Sequence, residues 1–213
     1  MKKICYCIIV LLYALTVNRI EAAEKTINLP SPQKTGGKSI MECLTLRRSV
    51  KSFLPGKPLP IKQLSNILYA AYGINRSDNR RTIPTARNLQ NQTVYAVLAE
   101  GMYQYNPYKH QLELVNEGNF IADCGRQSYH KNASLILIYV SNLDAIGSSI
   151  VVNAACSGTH AGASAQNVYL YAASEGLGTV ICGNFDKKKL IKMLKLKAGE
   201  KVFYIQSIGY PDK

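Results

Sequence analysis

The sequence predicts an α+β domain in which helices flank a mixed β-sheet. The stretch "LPIKQLSNILYAAYGIN" has helical spacing, "MYQYNPYKHQLELV" alternates on both sides of a turn, and "SLILIYVS" is a continuous apolar run. A chain that contains both helical and strand patterns, with enough apolar residues for one shared core, is typical of this class. With 213 residues, 47% of them hydrophobic and 18% charged, the chain can form one sizeable core.

The first elements are two helices. Ser39 is a plausible N-cap for the short amphipathic segment "SIMECLTL". The second helix carries Leu64, Ile67, Leu68 and Ala71 at helical spacing, and Gly73 is a natural stop. Residues 75–92 are polar and rich in Arg and Asn, so we predict a loop or a short helix there.

Four strands come next. The run "TVYAVLAE" (93–100) is predicted as a strand, and the alternating residues around Asn106-Pro107 predict a hairpin. The run at 134–141 lacks alternation, which is typical of a strand buried on both faces.

A long helix is predicted over "AGASAQNVYLYAASEGLG" (161–178), ending at Gly176 and Gly178. Its stripe of mostly small residues suits close approach of a second helix, and equally suits a crowded core. The stripe consists of Ala161, Ala165, Val168, Ala172 and Ala173. The strand "TVIC", the helix "DKKKLIKMLKL" and the strand "KVFYIQSIGYP" complete the domain.

The N-terminus has the pattern of a secretory signal peptide. Lys2 and Lys3 precede an apolar run over residues 4–17, and small residues follow at Ala22 and Ala23. We predict a signal peptide at residues 1–22, a linker at 23–37 and the folded domain at 38–213. The protein would then be exported, periplasmic or secreted, with no stable membrane anchor after cleavage. An uncleaved N-terminal anchor is the alternative, although the run is short for a membrane span.

Composition points to anionic ligands and away from metal. The formal net charge is +13, which favours solubility and binding of anions. Past residue 22 the four cysteines form no C-x-x-C pair, and the three histidines lack metal-ligand spacing, so no metal site is predicted. The lysines between Lys187 and Lys197 read as the solvated face of a helix. An anionic surface or nucleic acid is their alternative partner, and no nucleic-acid partner is expected.

Two polar segments carry candidate binding residues. The segment "RRSVK" places Arg47, Arg48, Ser49 and Lys51 together, and arginine forks with a hydroxyl suit a phosphate group. A solvated face is the simpler interpretation of this segment alone. The segment "PTARNLQ" places Pro84, Thr85, Asn88 and Gln90 in a turn before a strand, where they could equally cap that turn.

These two segments, followed by "EGLGTVICGNFD" (175–186), resemble the flavin-dependent nitroreductase family. The family pattern has an Arg-x-Ser-x-Arg/Lys segment after a first helix, a Pro-Ser-x-x-Asn-x-Gln-like segment before a strand, and a Gly-Leu-Gly stretch after a long helix. They occur here in that order, and the resemblance covers about residues 38–211. The stretches "ILYAAYGIN" and "GMYQYNP" resemble the compact branch related to thiazole/oxazole-forming dehydrogenases.

The resemblance implies an FMN-dependent oxidoreductase with the nitroreductase fold that works as a homodimer. It assigns Arg47, Arg48 and Ser49 to the phosphate and ribityl chain of FMN, and Lys51 to the N1/O2 side of the ring. The other implied cofactor-binding residues are Pro84, Thr85, Asn88, Gln90, Gly183 and Asn184. NADH or NADPH would donate electrons, a small electron-poor molecule would accept them, and no protein side chain would act as a catalytic nucleophile or base.

Two other functions stay open at this stage. The first is a non-catalytic basic binding module on the same fold, since the basic residue that usually follows the last strand has only Lys213 as a counterpart. The second is a phosphate- or nucleic-acid-binding protein unrelated to flavin. The Lys-Tyr pair that the heterocycle-forming enzymes use has no clear counterpart, which argues against that specific activity.

Overall fold

The structure is a computed structural model that describes residues 26–147 and 149–212. The predicted signal peptide at residues 1–22 lies outside the described residues. No helix within these two ranges is both long enough and apolar enough to cross a membrane.

A seven-stranded sheet forms the centre of the domain, with the strand order β1-β4-β3-β2-β5-β7-β6. Every pair of neighbouring strands is antiparallel. The strands are β1 (Thr26–Asn28), β2 (Gln92–Leu98), β3 (Gly101–Asn106), β4 (Gln111–Glu117), β5 (Leu135–Asn142), β6 (Gly178–Cys182) and β7 (Glu200–Gly209).

Four α-helices accompany the sheet in the described residues. They are α1 (Ile40–Leu46), α2 (Ile61–Tyr72), α3 (Ile150–Glu175) and α4 (Lys187–Met193). Short 3-10 turns lie at Ala86–Asn88, Ile121–Asp123, Ser128–Asn132 and Asp144–Ile146. As predicted, Ser39 caps α1, and Gly176 ends α3 in the left-handed conformation.

Both faces of the sheet are buried. Strand β5 shows this most clearly, because Leu135, Leu137 and Tyr139 belong to the core under α2 and α3, whereas its alternate residues belong to the second core. The second core includes Leu190 of α4 and Ile121 of a 3-10 turn. The prediction of a strand at 134–141 buried on both faces is therefore confirmed.

The predicted fold class is confirmed, with three corrections of detail. The sheet is antiparallel rather than mixed, and the one parallel pairing among the described residues is an isolated bridge between Ser49 and Thr179. Part of the predicted linker, Thr26–Asn28, pairs with β4 as an edge strand. The long helix begins at Ile150, eleven residues before the predicted start, because Ser149 caps it and no breaker intervenes.

Candidate functional site

The basic segment at residues 47–51 lies beside the strand that leads to Gly183. Helix α1 ends at Arg47, and the chain then extends so that Ser49 pairs in parallel with Thr179. The Val50 N–H donates to the Thr179 carbonyl at 3.0 Å. Since the pairing is parallel, this segment runs alongside β6 in the direction of Gly183 and Asn184. The structure thus brings two of the three predicted segments side by side.

Gly178 permits this close approach. A Cβ built on Gly178 would lie 2.8 Å from Cγ1 of Val50, closer than real carbon atoms pack. The second glycine of "GLG" is therefore needed so that the basic segment can lie against β6.

Tyr169 of α3 holds the Ser49 hydroxyl in place. The two hydroxyl oxygens are 2.8 Å apart, and the Tyr169 oxygen also accepts the Ile181 N–H at 3.1 Å. When Tyr169 donates to Ser49, the serine proton is left to donate to a ligand. Tyr169 thereby connects the predicted phosphate-binding hydroxyl to the backbone of β6.

The cations of this segment have no acidic partner in the described part of the chain. The Arg47 guanidinium lies 5.2 Å from the centre of the Tyr169 ring and is half-buried, and Arg48 and Lys51 are exposed. Among residues 26–147 and 149–212, no ion pair involves any of these three side chains. Arg47, Arg48 and Tyr169 line a cavity of about 310 Å³. The segment is therefore an exposed cluster of cations suited to an anionic ligand.

The segment at residues 84–90 lies elsewhere in the same chain. The Ala86 N–H donates to Nε2 of His160 at 2.9 Å. His160 precedes Tyr169 by nine residues on α3, or about 13.5 Å along the helix axis. Asn88 and Gln90 line a different cavity, and Thr85 accepts the Gln90 N–H at 3.1 Å. Within one protomer, the described structure joins this segment to the basic segment through neither a hydrogen bond nor a shared cavity.

Gly183 and Asn184 directly follow β6, with space in front of them. A Cβ on Gly183 would meet only the Tyr204 ring, at 3.7 Å, which is an ordinary contact. The packing of the described chain therefore does not itself require glycine there. The Asn184 N–H donates to Cys182 Sγ at 3.2 Å, and its carbonyl accepts the Arg126 N–H at 3.4 Å. These contacts fix the turn that the resemblance places against the flavin.

Sequence reasoning missed two residues near this turn, Tyr169 and Gln127. The Gln127 Oε1 atom accepts from His130 Nε2 at 3.0 Å and from Cys182 Sγ at 3.4 Å. Burial lowers the pKa of His130 to about 4, so its ring is neutral and donates to Gln127. Neither residue belongs to a short sequence motif, and the neighbours of Tyr169 in the sequence are mostly apolar helix residues. Only the tertiary contacts identify the two residues.

His160 directly precedes the predicted start of the long helix, but the structure places it inside the helix. Because α3 begins at Ile150, His160 lies in the middle of the helix with only 4% of its surface exposed. Burial lowers its pKa, and the neutral ring accepts the Ala86 N–H. Its role in the described structure is to attach the segment at residues 84–90 to α3. No group of three or more His, Cys, Asp or Glu side chains suited to a metal ion occurs in the described ranges.

Comparison with known proteins identifies the family. The model of the nitroreductase family matches residues 44–210, which include the three segments that carry the resemblance. This chain belongs to the nitroreductase family. Nitroreductases typically depend on flavin and are commonly homodimers, and family membership supports an oxidoreductase.

Individual relatives agree with this family. A candidate nitroreductase of Methanocaldococcus jannaschii is 32% identical over 168 residues, covering 73% of this chain and 84% of that protein. The crystal structure of a candidate nitroreductase from Ralstonia eutropha JMP134 superimposes with a TM-score of 0.84 at 36% identity, covering 89% of this chain and 91% of that one. A candidate nitroreductase from Anabaena variabilis shares the fold, with a TM-score of 0.74 at 22% identity over 89% of this chain and 42% of that one.

Proposed function

We propose that this nitroreductase is an FMN-dependent oxidoreductase that takes hydride from NADH or NADPH and passes electrons to a small electron-poor acceptor. One observation carries the proposal. The cationic segment at residues 47–51, without an acidic partner in the described structure, runs parallel to β6 towards Gly183 and Asn184. A ligand with a phosphate at one end and a flat ring at the other would span these two segments.

The residues present fit such a ligand. Arg47 and Arg48 supply charged donors for a phosphate, and Ser49, held by Tyr169, supplies a neutral one. Lys51 lies two residues further towards Gly183, where an ammonium group would stabilise negative charge on a reduced ring. The open space before Gly183 accommodates close approach. When bound, FMN supplies the hydride-accepting and electron-storing chemistry, and the protein side chains bind, orient and tune it.

A second copy of the chain would complete the site, and we propose a homodimer. Helix α3 exposes a stripe of small and polar residues, Val151, Ala155, Thr159 and Gln166, spaced along one side. Such a stripe allows two helices to approach closely. The stripe foreseen from the sequence has a different role, because Ala161, Ala165, Val168 and Ala172 are buried in the core of this chain. Pairing across α3 would let the partner's segment at residues 84–90 reach the basic segment.

Two further parts of the proposal come from the sequence alone. The pattern at residues 1–22 supports export of the protein, with the signal peptide removed. The stretches "ILYAAYGIN" and "GMYQYNP" support a relationship to the compact branch that includes thiazole/oxazole-forming dehydrogenases.

The test is retention of flavin. Residues 24–213 would be purified, mixed with FMN and freed of excess, and the visible spectrum recorded before and after anaerobic addition of NADH or NADPH. We expect a retained flavin that the nicotinamide bleaches. The double variant Arg47→Ala/Ser49→Ala should lose the flavin, whereas the exposed loop control Ser77→Ala/Arg80→Ala should keep it.

The other outcomes separate the alternatives. A double variant that retains FMN as well as the parent overturns the assignment of Arg47 and Ser49. Retained flavin that neither nicotinamide bleaches contradicts NAD(P)H as the donor. A folded protein that never takes up FMN supports the non-catalytic basic module on the same fold.

A further inference from the structure

A buried arginine, Arg81, lines a second cavity that lies apart from the basic segment at residues 47–51. Arg81 is only 4% exposed, and its Nε and Nη1 atoms are buried without a hydrogen-bond partner in the described structure. No carboxylate among the described residues forms an ion pair with it. Buried charges in proteins are normally paired, because an isolated charge in a low-dielectric interior is costly. The free donors of Arg81 therefore require an explanation.

Aromatic rings account for only part of the environment of Arg81. Its guanidinium lies 5.1 Å from the centre of the Tyr72 ring and 4.6 Å from that of Tyr108. Cation–π attraction offsets some of the cost of burying the charge. A ring face provides no lone pair for the in-plane N–H groups, however, so stacking leaves their hydrogen-bonding capacity unused.

Arg81 lines a cavity of about 490 Å³, a size typical of small-ligand sites. Gln92 also lines this cavity, and its Oε1 atom is buried without a hydrogen-bond partner in the described structure. The Tyr72 hydroxyl is buried on the same wall, within reach of the Arg81 side chain and the Gln92 backbone. Burial raises the pKa of Tyr72 even though the charge of Arg81 opposes the shift, so the phenol keeps its proton. Buried polar groups of three residues from separate parts of the chain, Arg81, Tyr72 and Gln92, thus converge on one cavity.

The charge of the cavity defines the class of ligand. Arg81 is the one formally charged residue among its described lining side chains. We propose that this cavity binds a small organic carboxylate, with the Arg81 guanidinium as its charged partner. One negative charge balances the buried cation, and the Tyr72 hydroxyl is a second donor. A phosphate dianion would leave one negative charge uncompensated in the same place. Gln92 Oε1 can accept from a hydroxyl or amino group on the same ligand.

This site is separate from the proposed flavin contacts at residues 47–51, although Asn88 and Gln90 lie on its wall. The probe is benzoate, with benzamide as its neutral analogue. Calorimetric titration would use flavin-free protein and, if FMN binds, FMN-saturated protein. We expect saturable binding of benzoate in both forms and much weaker binding of benzamide. Arg81→Gln should weaken benzoate binding about 10- to 100-fold, the loss typical of a charged hydrogen bond. Lys188→Gln, on the exposed face of α4, should not change it.

Each other result overturns the proposal. The proposal is wrong if benzamide binds as tightly as benzoate, or if Arg81→Gln binds benzoate with the parent's affinity. It is also wrong if added FMN abolishes benzoate binding. Inorganic phosphate binding more tightly with the same dependence on Arg81 would overturn the carboxylate assignment. If Arg81→Gln does not fold, Tyr108→Ala replaces it, because Tyr108 is 65% exposed and covers the guanidinium. Unchanged benzoate affinity in that variant also rejects the site. The benzoate titration can be done with flavin-free protein. Its result therefore tests the carboxylate site even if the protein does not bind FMN.

Discussion

The hydroxyl groups of Ser49 and Tyr169 lie 2.8 Å apart, although 120 residues separate them in the chain. Tyr169 also accepts the Ile181 N–H of β6, so one phenol links the basic segment, α3 and the sheet. This makes Tyr169 a positioning residue for the proposed phosphate-binding serine. Its effect on ligand binding would pass through Ser49 rather than through contact with FMN.

Tyr169→Phe should weaken FMN binding about three- to tenfold, because loss of one neutral hydrogen bond costs about 1 kcal/mol. The ring under Arg47 is kept, so the cation–π contact is unaffected. The control is Tyr171→Phe on the same helix, whose hydroxyl accepts from Asn66 instead. Fluorescence titration of FMN measures both. Equal affinities for the two variants would show that the Ser49–Tyr169 contact has no role in binding.

Lys51→Gln should leave most FMN binding intact and slow flavin reduction about tenfold or more. The reason is that an ammonium group near N1/O2 stabilises charge that appears only on reduction. Stopped-flow reduction by the nicotinamide that bleaches the parent protein measures this, together with the flavin midpoint potential, which should fall. Lys57→Gln is the control, because that exposed ammonium group lies 3.9 Å from the Tyr210 ring. If Lys51→Gln is reduced as fast as the control, Lys51 does not lie beside N1/O2 of the flavin ring.

Gly178→Ala should destabilise the protein by roughly 1–3 kcal/mol, the usual cost of overpacking. The added methyl group would lie 2.8 Å from Val50 and push the basic segment away from β6. Urea unfolding measures the stability, and FMN titration should show weaker binding. Combining it with Val50→Ala should recover part of the stability, because Cγ1 at 2.8 Å and Cγ2 at 3.3 Å are removed and only the Val50 Cβ, at 2.9 Å, still has to shift. A double variant no more stable than Gly178→Ala would place the strain elsewhere.

Thr159→Arg should convert the proposed homodimer to monomer, since the exposed stripe of α3 would carry a bulky charge at a close helix contact. Sedimentation velocity measures the mass, and retained flavin should fall with it if the partner completes the site. Lys188→Glu on α4 serves as a charge-changing surface control. A Thr159→Arg protein that sediments as the parent does would exclude this face of α3 as the interface.

Stability should fall as the pH decreases from 7 to 5. Burial holds the pKa of His130 at about 4, whereas the unfolded chain has the ordinary value of 6.5. The unfolded state therefore binds the proton first, and the stability present above pH 6.5 is progressively lost towards pH 4. The expected loss between pH 7 and pH 5 is about 2 kcal/mol from this residue. Burial lowers the pKa of His110 and His160 as well, which adds in the same direction.

Urea unfolding at both pH values, followed by circular dichroism, checks this expectation. His130→Gln should be less stable at pH 7, because His130 bonds to Ser207 and Gln127, and should lose most of the 2 kcal/mol difference. A variant with the same pH dependence as the parent would assign the effect to other groups.

Local patterns in the sequence were sufficient for most elements of the fold. Apolar spacing identified α2, and the alternation around Asn106-Pro107 identified the β3–β4 hairpin. The start of α3 was missed because residues 150–160 include glycine and β-branched residues, which weaken helix propensity. The Ser149 cap and the buried side chains of Asn153, Ser157 and His160 stabilise these first turns. The sequence also did not predict that the whole sheet is antiparallel, because strand direction depends on how segments far apart in the chain pair.

The sequence by itself determined the elements, the fold class and the residue types of the basic segment, because periodicity, capping and side-chain charge are local properties. Tertiary structure alone decided which of those residues meet. It placed Ser49 against Tyr169 and the basic segment along β6, and it separated both from the segment at residues 84–90. It also buried Arg81 between two tyrosines. These relationships join residues far apart in the chain, and packing around the sheet fixes them.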